Sequence, residues 1–144
     1  MIFRSNFFYL TAISIVLLMF FPGCKEGSSS KENFVSGTID LADGSSLENM
    51  IRALVSIDDI STADMENIKV REVVISPIEE LPIKFSIAYN VSEINLSHSY
   101  SIRAEIIELN ENGVEERVYL TTQTYPVITG GFGDSVNVLV ERVD

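Results

Sequence analysis

The chain has 144 residues, 46% of them hydrophobic and 22% charged, with a formal net charge of −11. That length supports one domain with a modest core. All the Asp and Glu residues, and every Lys and Arg except Arg4, lie after residue 23. So acidic a surface excludes nucleic acid as a partner, because that affinity comes from Lys and Arg neutralising phosphates.

The N-terminus reads as an export signal. Arg4 supplies a short positive start, and residues 7–21 are apolar apart from Thr11 and Ser14. The run is too short to span a bilayer comfortably, which takes about 20 residues. It ends at Phe21-Pro22-Gly23-Cys24, and Cys24 is the only cysteine. This resembles the lipobox of bacterial lipoproteins, with a large apolar residue three places before the cysteine and a small one directly before it. Pro22 departs from that pattern, since its slot usually holds a small residue. The resemblance implies cleavage between Gly23 and Cys24, a diacylated Cys24 sulfur and an acylated new amine. Each buried methylene contributes about 0.8 kcal/mol, so several chains anchor durably where one does not. The competing readings are an uncleaved signal-anchor helix, or an ordinary secretory signal with a free thiol.

The expected organisation is a signal peptide over residues 1–23, a lipidated cysteine with a flexible tether over 24–32, and a folded domain over 33–144. KEGSSSKE, residues 25–32, has no apolar side chain and suits a tether. Lys25 after the cysteine, where an Asp would retain an enteric lipoprotein at the inner membrane, points to the outer membrane facing the periplasm.

From residue 33 the pattern has period two, with one face inward and the other in water. Apolar residues alternate along Val35–Leu41, Ile51–Ile57, Leu81–Tyr89, Tyr100–Ile106 and Val136–Val140. Two further strands are expected at Val70–Ser76, stopped by Pro77, and Arg117–Tyr125, stopped by Pro126. Turns fall at Asp43-Gly44, Asn112-Gly113 and Gly130-Gly131. Asn90–Ser97 is the best candidate for a helical turn. Gly37 and Pro82 lie inside runs, and Pro82 places its strand at an edge or at its own start. The fold expected is all-β, an antiparallel β-sandwich of about seven strands with an immunoglobulin-like or transthyretin-like outline.

Val35-Ser36-Gly37-Thr38-Ile39, the strand around Tyr100-Ser101-Ile102-Arg103-Ala104 and the Tyr125-Pro126-Val127 segment are together similar to the YbaY/YscW family of bacterial lipoproteins. The resemblance covers residues 34–143. It implies a small β-sandwich. One branch of that family comprises pilotins, which assist a secretin in reaching or assembling in the outer membrane.

The residues supply little chemistry. His98 is the sole histidine, and its neighbours Ser97 and Ser99 point away from it on an extended chain. Zinc is excluded by the lack of Cys and His ligands. Asp40, Asp43, Asp58, Asp59, Asp64 and Glu66 are oxygen ligands without calcium-loop spacing. Glu79-Glu80 and Glu115-Glu116 are adjacent on exposed connections, so neither pair faces one substrate. Thr129–Asp134 is glycine-rich but lacks a phosphate-binding Lys. Phe132 at its tip is either a partner contact or a lid on the core.

The function expected is therefore a non-catalytic envelope lipoprotein, with no cofactor and no metal, held in the membrane by acyl chains on Cys24. It binds or supports another envelope protein. Pilotin action on a secretin is one alternative. A small-ligand or calcium-binding module built on residues 40–66 is the alternative from another class.

Overall fold

The computed structural model describes residues 32–63 and 66–143. Gly23, Cys24 and the expected signal and tether up to residue 31 lie outside these residues, as does Asp64. Eight strands form: β1 (Glu32–Leu41), β2 (Met50–Asp59), β3 (Ile68–Ile75), β4 (Ile83–Asn90), β5 (Tyr100–Leu109), β6 (Glu115–Leu120), β7 (Pro126–Val127) and β8 (Ser135–Arg142). The helical content among the described residues is one 3₁₀ turn, Val91–Glu93. All-β is therefore correct.

The sandwich outline is not what forms. The strands make one sheet in the order β3-β2-β5-β6-β8-β1-β4, with β7 paired to β5 ahead of β6. The sheet is mixed, because β1 and β8 run parallel while every other pair is antiparallel. It rolls almost to closure. The short connection Ser76–Pro82 joins the two end strands, and Arg71 of β3 is ion-paired to Glu93 just after β4. Alternation reveals which side chains point inward but carries no information on strand direction, so a parallel pair between the first and last strands leaves no mark on it.

The inward positions of this roll form one core. Val35, Ile39, Val55, Ile57, Ile102, Ile106, Val138 and Val140 are essentially inaccessible to solvent. Burying each such side chain contributes about 1.5–3 kcal/mol. Gly37 occupies an inward position between Val35 and Ile39, opposite Phe85 on β4 and Val136 on β8. A Cβ there would stand 1.7 Å from the Val136 carbonyl oxygen and 3.0 Å from the Phe85 ring. Glycine is required because the β8 backbone and an aromatic ring already fill the space.

The expected strand Arg117–Tyr125 is two pieces. β6 ends at Leu120, where it still pairs with Glu141 of β8, and the chain then loops out before returning as β7. Tyr125 bridges the gap. Its hydroxyl accepts from the Leu139 N–H at 2.8 Å and donates to the Leu139 carbonyl at 2.9 Å. Its own N–H donates to Ser101 Oγ, and its carbonyl accepts from the Ile102 N–H. One tyrosine thus supplies to β8 the hydrogen bonds a missing strand would have made.

Pro82 directly precedes β4, at the end of the sheet order, as its lack of an N–H requires. The 3₁₀ turn opens on a capping box. Asn90 Oδ1 accepts from the Ser92 N–H, and Glu93 reaches back to the Asn90 N–H. Asn95 makes the same Asx turn with Ser97. The two Asn-x-Ser sequences are turn devices.

Candidate partner-binding surface

Three connections meet at the end of the roll where β1 begins: the loop after β2, the segment before β5 and the loop after β7. His98 Nδ1 lies 2.6 Å from Asp59 Oδ2, and Ser61 Oγ donates to Asp59 Oδ1 at 2.6 Å. Ser99 N–H donates to Ser61 Oγ, and Thr129 Oγ1 donates to the His98 carbonyl at 2.7 Å. Burial pushes the Asp59 carboxyl upward, but hydrogen bonds from Ser61 and His98 outweigh it and hold the group below the usual aspartate value.

This cluster brings together a serine, a histidine and an aspartate without building a nucleophile. Ser61 bonds the aspartate rather than a histidine nitrogen, and Ser97 is turned onto Asn95 Oδ1. A relay needs the hydroxyl on the imidazole. What the arrangement does is clamp three loops together. Sequence reading missed it because Asp59 and His98 are 39 residues apart.

Phe132 lies beside this clamp and is 53% exposed. Its ring leans over Gly130, which has a φ of +67° that glycine adopts freely. Ile128 in the same loop has a φ of +72°, a strained conformation for a β-branched residue. Phe132 does not close over the core. It edges a small depression with Ile60, Tyr100 and Pro126. Leu96, Val91 and Phe34 are further exposed apolar residues on neighbouring segments. Phe34 stands opposite Ala88 at the start of β1, and Val91 follows β4 directly.

Among the described residues, the carboxylates noted in the sequence do not gather at one point, although Asp58 and Glu66 line the same cleft. Asp43 accepts from Tyr119 Oη at 2.9 Å at another place in the fold, Asp59 is taken up by the clamp, and Asp58 lies on the outer face of β2. No group of three or more His, Cys, Asp or Glu side chains among the described residues is placed to hold a metal ion. Glu115 pairs with Arg52 and Glu116 with Asn110, so those two neighbours serve separate partners, and Glu80 pairs with Lys84.

The outer face of β3-β2-β5-β6 carries a polar cleft of about 530 Å³ along Ser56, Asp58, Glu72, Arg103 and Glu105. Nothing in the sequence pattern marks it, since outward polar residues on an alternating strand read as solvated.

A rolled mixed sheet with clamped loops and a polar outer cleft makes this a small all-β domain. The chain belongs to the YscW family, type III secretion system lipoprotein chaperones, whose family model matches residues 30–140. Among solved structures it is similar to an alternative pilotin from the type II secretion system of Vibrio cholerae, with a TM-score of 0.69 and 23% sequence identity. That match covers 79% of this chain and 99% of the pilotin, and it establishes a shared fold. No curated protein matches the chain.

Proposed function

We propose that this protein is a lipid-anchored, non-catalytic chaperone of the bacterial envelope that holds another envelope protein through its β-domain. The family match over residues 30–140 carries this reading. Cys24, preceded by Gly23 and an apolar run, supports acyl anchoring after cleavage at Gly23-Cys24. Lys25 favours the outer membrane, with the domain facing the periplasm. A secretin is the client that the pilotin likeness favours. Phe132, exposed on a strained and glycine-rich loop, is the proposed client contact.

The test combines processing with capture. Mass spectrometry of the membrane fraction is expected to find a chain beginning at acylated Cys24. Crosslinking in intact cells is expected to recover a secretin with the native protein, and much less with Phe132→Ser. An intact, unmodified precursor sinks the anchor. Equal crosslinking by Phe132→Ser sinks the contact.

A further inference from the structure

The outer face of the β3-β2-β5-β6 flank hides an aspartate that the fold leaves unserved. Asp58 points outward from β2, yet it is only 5% exposed, and Ser56 and Ser101 beside it are equally covered. Asp58 Oδ1 is buried with no hydrogen-bond partner. An unpartnered buried polar atom is costly, and more so when it belongs to a charged group. The cations nearby are spent elsewhere. Lys69 stands directly opposite Asp58 in the β2–β3 ladder, but its ammonium is paired with Glu72. Arg103 and Arg117 both bond Glu105, each at 3.0 Å. A bulge falls in this ladder between Ile57 and Asp58, the kind of irregularity that re-aims side chains beside functional sites.

Two clefts share Asp58 at their floor. One, of about 530 Å³, runs along β3 and β5, and the other, of about 320 Å³, runs beneath Thr121–Thr124. The cations of the rim are therefore already taken up in ion pairs, while Glu66 adds a further carboxylate at its edge and Asp58 Oδ1 lies buried without a donor.

We infer that this double cleft is a binding site for a basic side chain of a partner polypeptide, whose ammonium or guanidinium group bonds Asp58 Oδ1. The cation supplies the absent donor, and the two arms of the cleft admit the chain on either side of it. The net charge of −11 makes a second copy of this chain an unfavourable occupant and a basic segment a favoured one. The site goes beyond the secretin reading, since it rests on Asp58 and not on the family.

The test uses the full-length protein in zwitterionic micelles, observed by backbone amide NMR and titrated with a tetra-arginine peptide and a tetra-glutamine peptide. Tetra-arginine is expected to shift the amides of Asp58, Asn67 and Ser101, and tetra-glutamine to leave them in place. Asp58→Asn is expected to weaken tetra-arginine binding at least 10-fold and to raise the melting temperature, because it removes a buried unpaired charge. Asp40→Asn, an acidic change on β1 on the opposite flank, is expected to bind as the native protein does. The proposal is overturned if Asp40→Asn weakens binding as much as Asp58→Asn, if both peptides shift the same amides equally, or if calcium shifts them where tetra-arginine does not. Should Asp58→Asn fail to fold, the position of the shifted amides in the native protein still decides the matter.

Discussion

The two flanks of the rolled sheet share one core but have different outer faces. On β4-β1-β8 the outward residues are mainly small and neutral, among them Ser36, Thr38, Ser86 and Asn137, with Thr38 Oγ1 donating to Asn137 Oδ1. On β3-β2-β5-β6 they are charged and cross-linked, and some are buried: Lys69 with Glu72, Arg103 and Arg117 on Glu105, and Asp58 beneath them. The first flank is organised by close backbone approach, and the second by side-chain chemistry. Within one domain, a flank made stiff by close backbone approach and a flank of charged, partly covered side chains lie on opposite sides of the same core. A change on the first should cost stability, whereas a change on the second should cost selectivity.

Gly37→Ala is the sharpest way to break that division. Its methyl would meet the Val136 carbonyl at 1.7 Å, a distance that only a shift of backbone relieves. The parallel β1–β8 ladder would have to open, for a loss of about 3 kcal/mol. Urea unfolding is the measurement. A loss below about 1 kcal/mol would mean that this flank yields as easily as the other, and the contrast would fail.

Tyr125→Phe comes next, because Tyr125 fastens β5 to β8 and so joins the two flanks. Phenylalanine keeps the ring and removes the hydroxyl, leaving the Leu139 N–H and carbonyl without that partner. The expected loss is about 1–3 kcal/mol. Amide exchange at Leu139 should accelerate more than exchange in the middle of β1. Uniform acceleration would show that the hydroxyl is not the local fastening.

Much of this was legible in the sequence, for a reason that also sets the limit. The five strands read from alternation all form, because each buries one face and alternation reports burial, while β3, read from its β-branched residues, is only half-buried. Gly37 stood out as a glycine within a run, and a close backbone approach is the physical reason for it. The expected strand Arg117–Tyr125 overran its true end at Leu120. A Thr-rich, Tyr-ended stretch has strand composition, and only the position of β8 shows that Tyr125 replaces a strand rather than continuing one. Strand direction, the β1–β8 pairing and the His98–Asp59 contact are long-range facts that local pattern does not carry. Asp58 was the least legible. As an outward aspartate on an alternating strand it looks solvated, and only the neighbouring strands and the Thr121–Thr124 loop reveal that it is covered.

The smallest expected effect concerns Asp59, and it tests whether the loop clamp belongs with the stiff flank or with the polar one. The folded-state carboxyl lies below its ordinary value, through the Ser61 and His98 hydrogen bonds acting against burial. A depressed carboxylate stabilises the fold above its unfolded value of about pH 4 and loses that contribution as the pH falls through the lower folded value. Asp59→Asn should therefore cost under about 1 kcal/mol at neutral pH, since the His98 partner is partly exposed. The gap between native and variant should close as the solution is acidified below about pH 4. Melting curves of both proteins across that range provide the check. A gap that persists in acid would show that the clamp holds by packing rather than by charge, and would move these loops to the stiff side of the comparison.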